Sequence, residues 1–197
     1  MVVLITGGIG SGKSVVSSIL RANGYEVYDC DRKARRLMDS DAGMRRRLSN
    51  EVCADAIDGS GMIDRRKIAS VVFSNPEKLA ILNSIVHGAV KADILRHAQD
   101  NPLLFVETAI PVTGGLVELA EAVWQIEAPE QLRISRVMAR NNVTAEEVKS
   151  RIEAQVSECV SASVTIVNDD TTPLLPQVLD ALAVLNLSGV EASLPPR

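Results

Sequence analysis

The sequence predicts an α/β fold built on a doubly wound parallel sheet. Three observations point there. Short apolar runs of strand length alternate with apolar-periodic stretches of helix length. The run at Leu103–Ile110 is continuously apolar over much of its length, as a strand buried on both faces is. A glycine-rich turn joins the first strand to the first helix. Alternation of this kind gives a parallel sheet with helical crossovers, and a ligand then sits beyond the carboxyl ends of the strands.

Each element has its own warrant. Val2–Thr6 is the first strand, and Lys13 to Asn23 the first helix, closed by Gly24 as the residue after the cap. Tyr25–Asp29 reads as a second strand, and residues 31–52 as helical with arginines on the outer face. Asp58-Gly59-Ser60-Gly61 is a turn cluster, and Asp64 caps a short helix. Asn75-Pro76 opens a helix running to about Gln99, and Asn101-Pro102 breaks it. Strands follow at Leu103–Ile110, Val123–Ala128 and Val164–Asn168. Pro129 suits the first turn of a helix, and Thr144-Ala145-Glu146-Glu147 is a capping box for the next, which starts near Ala145 and continues past Gln155. Pro173–Leu187 is a last amphipathic helix, ended by Ser188-Gly189 and a short fraying tail.

Composition narrows the function classes. The chain has 197 residues, 46% of them hydrophobic, which suits one compact core without disulfide or metal staples. No apolar run reaches the length of a membrane span, and the start MVVLITGGIG has no basic leader, so a cytoplasmic protein is expected. Cys30, Cys53 and Cys159 form no pair motif and read as free thiols. A net charge of −4 and only 3% aromatic residues argue against nucleic acid as partner. Yet residues 32–67 hold ten Lys/Arg and six acids, a +4 stretch on an acidic chain. That suits a small anionic ligand; a set of solvated helix faces is the equal alternative.

Gly7-Gly8-Ile9-Gly10-Ser11-Gly12-Lys13-Ser14 matches G-x-x-x-x-G-K-[ST] at every fixed position, in its required strand–loop–helix setting. The glycines let the loop curl so that successive N–H groups face one anion, and the helix adds its N-terminal dipole. Lys13 is then expected at the β/γ-phosphates of a nucleotide and the Ser14 hydroxyl at Mg²⁺. No guanine-reading N/T-K-x-D motif is present, and the chain is short for motor machinery, so a small-molecule kinase leads.

Such a kinase needs a carboxylate at a strand end facing the loop, to take the proton of the attacking hydroxyl or to order a magnesium-bound water. Asp29-Cys30-Asp31 ends the second strand, and extended backbone sends both acids to one side. A helix cap is the other role open to one of them. Arg136 and Arg140, spaced i,i+4 on one helix face, can both reach the same phosphates; a solvated face is the alternative.

Gly7–Ser14, Asp29-x-Asp31-x-x-x-Arg35, and Arg136-x-x-x-Arg140 followed by Arg151-Ile152-x-x-Gln155 together resemble the dephospho-CoA kinase family, over about residues 2–185. The resemblance implies a P-loop NTPase-type core at about 1–31, 102–130 and 160–187, a helical substrate region at about 32–100 and a small lid at about 131–159. It implies transfer of the ATP γ-phosphate to the ribose 3′-hydroxyl of dephospho-coenzyme A, with ATP and Mg²⁺ as cofactors. Asp31 is then the catalytic base, aided by Lys13 and the lid arginine Arg140. ATP would be held by Gly8, Ile9, Gly10, Ser11, Gly12, Lys13, Ser14, Arg136, Arg140 and Asn168, the last near the base. Asp29, Asp31, Arg35, His87 and Glu107 would meet the substrate. His87 equally suits a structural role, and Glu107 a buried ion pair.

The chain departs from the family pattern in places. His87-Gly88 replaces His-Pro, and Arg140-Asn141 replaces Arg-Asp. Ile110-Pro111-Val112-Thr113 lacks the family's glutamate, and Ser157-Glu158-Cys159 lacks a basic residue. Two other readings therefore stand beside the first: another small P-loop kinase for a nucleotide or polyol, and an ATP-binding regulator with weakened catalysis.

Overall fold

The computed structural model describes residues 1–187, so Ser188-Gly189 and the tail lie outside the described residues. The chain divides into two compact units, Met1–Asp29 with the chain from Arg96 on, and Cys30–Leu95.

The first unit holds a five-stranded parallel sheet: β1 (Val2–Thr6), β2 (Glu26–Asp29), β3 (Leu104–Glu107), β4 (Ala122–Glu127) and β5 (Val164–Val167). Their order is β2-β3-β1-β4-β5, so the chain winds outward in both directions from β1. All five β1 residues are buried, as its apolar run requires for a central strand. Helices α1 (Lys13–Ala22), α6 (Glu130–Asn141), α7 (Ala145–Ala154) and α8 (Leu174–Leu187) complete this unit. The main core packs Val3 and Ile5 of β1, Val16 and Leu20 of α1, and Val178 and Leu182 of α8 with Phe105 and Trp124. Three of the five aromatic side chains, Tyr28, Phe105 and Trp124, are fully buried, so the few aromatics serve the core rather than a stacking surface.

The second unit contains α2 (Cys30–Ser40), α3 (Ala42–Arg47), α4 (Arg65–Val72) and most of α5 (Pro76–Asp100). Its own core joins Met44, Leu48, Val52, Ile68 and Ile85.

Most boundaries fall within a residue or two of those the sequence predicts, and two differ by more. The helix expected over 31–52 is interrupted at Asp41, where the backbone is extended and the side chain accepts from Met44 N at 2.9 Å. A cap thus restarts the helix, and Leu48–Val52 then widens into a π-type turn. The strand expected over Leu103–Ile110 ends at Glu107, because Thr108 turns its hydroxyl to accept from Ile110 N at 3.1 Å. Asp29 and Asp31 do not share one extended strand end. Cys30 already begins α2, so Asp31 lies in a helical first turn rather than on extended backbone.

Candidate active site

The phosphate loop is held in shape from several sides. Gly7, Gly10 and Gly12 have positive φ of 148°, 79° and 98°. At Gly12 a Cβ would lie 2.0 Å from Asn168 Nδ2, so a left-handed turn and a close approach both demand glycine there. Asn168, buried just past β5, donates from Nδ2 to Ser11 O at 2.8 Å. At Gly10 a Cβ would lie 2.6 Å from Arg133 O, so the backbone of α6 rests against the loop. Ile9 packs with Ile134, Val137 and Val148 of α6 and α7, and its N–H donates to Gln155 Oε1 at 2.7 Å. Lys13 folds over the loop, with Nζ donating to Gly7 O at 2.7 Å and Gly8 O at 3.3 Å. Ser14 is exposed in the first turn of α1.

The loop fits a polyphosphate. Its glycines clear a cradle that side chains would fill, and the fully buried Ser11 hydroxyl has no partner among the described residues. No cluster of three or more metal-ligating side chains occurs among the described residues. A cation at Ser14 would therefore take its other ligands from phosphate and water, as Mg²⁺ does.

Arg136 and Arg140, both on α6, are used differently. Arg136 donates to Asn168 O at 3.1 Å, Asn168 Oδ1 at 3.3 Å and Gly10 O at 3.4 Å, and pairs with the Asp170 carboxylate. It brackets the loop to the end of β5. Arg140 is exposed, and among the described residues its side chain donates only to its neighbour Asn141 Oδ1, at 3.0 Å. Asp29 and Glu107 end adjacent strands in direct register, both half-buried, with Glu107 also paired to Ile5 of β1. That puts two carboxylates at the carboxyl edge of the sheet.

Asp31, Arg35 and His87 belong to the second unit. Asp31 is exposed in the first turn of α2, Arg35 is exposed on the same helix, and His87 is half-buried on α5. The basic stretch sorts itself further. Arg65 is tied to Asp39 at 2.7 Å and Arg47 to Glu51 at 2.7 Å, while Arg45 donates to Asp39 O at 2.9 Å. The Arg47–Glu51 hydrogen bond lowers the glutamate's pKa and raises the arginine's. Arg35, Arg36, Arg46 and Arg66 are exposed, with no side-chain hydrogen bond or ion pair among the described residues.

A cavity of about 320 Å³ opens beside Gly7 and Gly8, lined also by Gln125, Arg133, Gln155 and Glu158. Sequence reasoning missed Arg133 and Glu158 as site residues. Glu158 accepts from Val112 N at 2.8 Å and from the Thr113 hydroxyl, so a carboxylate from a distant segment reaches the very position where the chain lacks one. Local sequence carries no signal for that contact. Arg133, three residues before Arg136 on α6, could have been found from helical spacing.

Comparison with known proteins names the family. The dephospho-CoA kinase family model matches residues 1–173. The chain belongs to the dephospho-CoA kinase family. Among curated relatives, a dephospho-CoA kinase of Bacteroides fragilis is 33% identical over 187 residues, covering 92% of this chain and 91% of its own. One from Porphyromonas gingivalis is 36% identical, covering 89% of each chain. A solved Thermus thermophilus protein superposes with a TM-score of 0.77 at 31% identity, covering 96% of this chain and 98% of its own. A shikimate kinase from Aquifex aeolicus, at 14% identity and a TM-score of 0.53 over 96% of this chain and 99% of its own, shares the P-loop kinase fold. A P-loop kinase family of this kind uses ATP. No helix among the described residues is long and apolar enough to cross a membrane.

Proposed function

We propose that the protein transfers the γ-phosphate of ATP to the ribose 3′-hydroxyl of dephospho-coenzyme A, giving coenzyme A and ADP. The observation that carries this reading is the braced phosphate loop Gly7–Ser14 in a chain that the dephospho-CoA kinase family model matches over residues 1–173. The catalytic assignments rest on the family motif and on the chemistry of the side chains. Asp31 accepts the proton of the 3′-hydroxyl as its oxygen bonds the γ-phosphorus. The bond from that phosphorus to the β–γ bridging oxygen breaks, and ADP leaves. Lys13 turns from Gly7 O and Gly8 O toward the β- and γ-phosphates. Mg²⁺ bound with the nucleotide neutralises phosphate charge, and Ser14 is the residue that would hold it. Asp29 and Glu107, paired at the carboxyl edge of the sheet, would add negative charge beside such a cation. Arg140, exposed and bonded to its neighbour Asn141, closes on the phosphates as part of a lid at about 131–159.

The region at about 32–100 takes the dephospho-CoA. Arg35, Arg36, Arg46 and Arg66 have no protein acceptor among the described residues, and they suit its pyrophosphate. His87 orients the substrate.

The deciding experiment is formation of coenzyme A from ATP and dephospho-CoA by the purified protein, beside a panel of nucleoside monophosphates and polyols. Phosphorylation of a panel member with none of dephospho-CoA overturns the reading. Binding of ATP with transfer to no acceptor makes the protein a nucleotide-binding regulator. Asp31→Asn is expected to keep ATP binding and lower kcat by about 10²- to 10⁴-fold.

A further inference from the structure

The three arginines of α6 face different fates, and the difference singles out one. Arg136 has acceptors in Gly10, Asn168 and Asp170, and Arg140 has Asn141. Arg133 has no side-chain hydrogen bond or ion pair among the described residues, and its Nε is sealed from solvent without a partner. Its guanidinium nevertheless lies against the phosphate loop: a Cβ on Gly8 would stand 2.1 Å from Arg133 Nη1. Lys13 reaches the same glycine from the other element, with Nζ 3.3 Å from Gly8 O. Two cations from α1 and α6 therefore converge on Gly8.

The carboxylates nearby do not answer this charge. Glu127 and Glu158 line the same cavity, yet neither forms an ion pair with Arg133, and Glu158 is engaged by Val112 and Thr113. A half-desolvated guanidinium with no acceptor is costly in a folded protein unless an anion arrives to meet it. The loop's lysine marks which anion that is, since it serves the β/γ end of a bound nucleotide.

We infer that Arg133 contacts the terminal phosphate of bound ATP and is a catalytic residue, stabilising charge on the transferring phosphoryl oxygens. Arg136 has a different task, holding the loop to β5. The inference rests on the reading of the protein as an ATP-dependent kinase. Planar and bidentate, Arg133 can span two phosphoryl oxygens where Lys13 offers a point charge. The γ-phosphate is thereby met from the loop side by Lys13 and from the α6 side by Arg133.

The test compares nucleotides that differ only in that phosphate. ATP and ADP are titrated calorimetrically into the wild-type protein and Arg133→Met, which keeps the apolar stem and removes the charge, without acceptor. Coenzyme A formation is then followed for both. The expected result is ATP binding weakened about tenfold or more, ADP binding within about twofold of wild type, and kcat lower by about 10²-fold. Equal weakening of both nucleotides, or unchanged ATP binding with unchanged kcat, overturns the assignment and makes Arg133 a packing residue. Should Arg133→Met not fold, Arg133→Gln is read by the same criteria. Wild-type protein that binds ATP but never phosphorylates dephospho-CoA defeats the functional reading while leaving the ATP-against-ADP comparison decisive for Arg133. Wild-type protein that binds neither nucleotide overturns both.

Discussion

The phosphate loop and the basic stretch at 32–67 are both rich in groups that attract anions, and they are built on opposite plans. The loop is braced by long-range contacts. Asn168 holds Ser11, Gln155 holds Ile9, and Arg136 holds Gly10. The basic stretch is braced locally, by the Asp41 and Asp64 caps and by Arg47–Glu51 one helical turn apart. Its longer tie, Arg65 to Asp39, stays within the same helical unit. The loop is thus preorganised, whereas Arg35, Arg36, Arg46 and Arg66 of the basic stretch are exposed and unpaired among the described residues. Preorganised donors give the greatest return where charge develops during a reaction, and solvated cations serve for capture.

The largest effect comes from breaking the preorganised side at Gly12. Gly12→Ala forces a left-handed alanine, a strain of about 1–2 kcal/mol, and drives its Cβ into Asn168 Nδ2. ATP affinity is expected to fall by more than tenfold in calorimetry, with the helical unit's secondary structure unchanged by circular dichroism.

A smaller effect separates the two roles on α6. Arg136→Ala leaves Gly10 O and Asn168 without their donor and is expected to cost about 1–3 kcal/mol in urea unfolding. The Asp170 carboxylate is mostly exposed and contributes little of that. Arg140→Ala should leave stability unchanged and lower kcat. Equal loss of stability in both variants would contradict the division of labour.

The same contrast sets what the sequence could disclose. Gly7–Ser14 is legible because its whole requirement lies in eight consecutive residues. The sheet is legible because buried parallel strands are written as apolar runs. The braces are not. Gln155 meets Ile9 across 146 residues and Glu158 meets Thr113 across 45, distances over which no local pattern constrains a side chain. Arg136 was visible as a cation on a helix face, but only Asn168 and Asp170 reveal that its donors are spent. The break at Asp41 had a readable cap, an aspartate three residues before Met44 whose side chain accepts from Met44 N.

On the basic side, Arg46 and Arg47 are neighbours with opposite standing. Arg46→Ala is expected to raise KM for dephospho-CoA severalfold and leave kcat unchanged, as loss of a capture contact does. Arg47→Ala breaks an exposed pair with Glu51 and should move neither KM nor melting temperature appreciably. Equal effects on KM would show that the free arginines are not selected by their lack of partners.

The smallest effect tests how far the bracing extends past Asn168. The backbone N–H groups of Thr172 and Thr171 and the threonine hydroxyls hold the Asp169 carboxyl down to about 2, at the entry to α8. A carboxylate whose folded pKa is depressed stabilises the fold fully above its unfolded value of about 4 and loses that contribution as pH falls through about 2. Asp169→Ala should therefore melt slightly below wild type from neutral pH down to about pH 4, with the gap closing as pH approaches 2. A gap that stays constant to pH 2 would mean that the carboxylate's charge has no part in holding the turn, and that the bracing ends at Asn168 and Asp170.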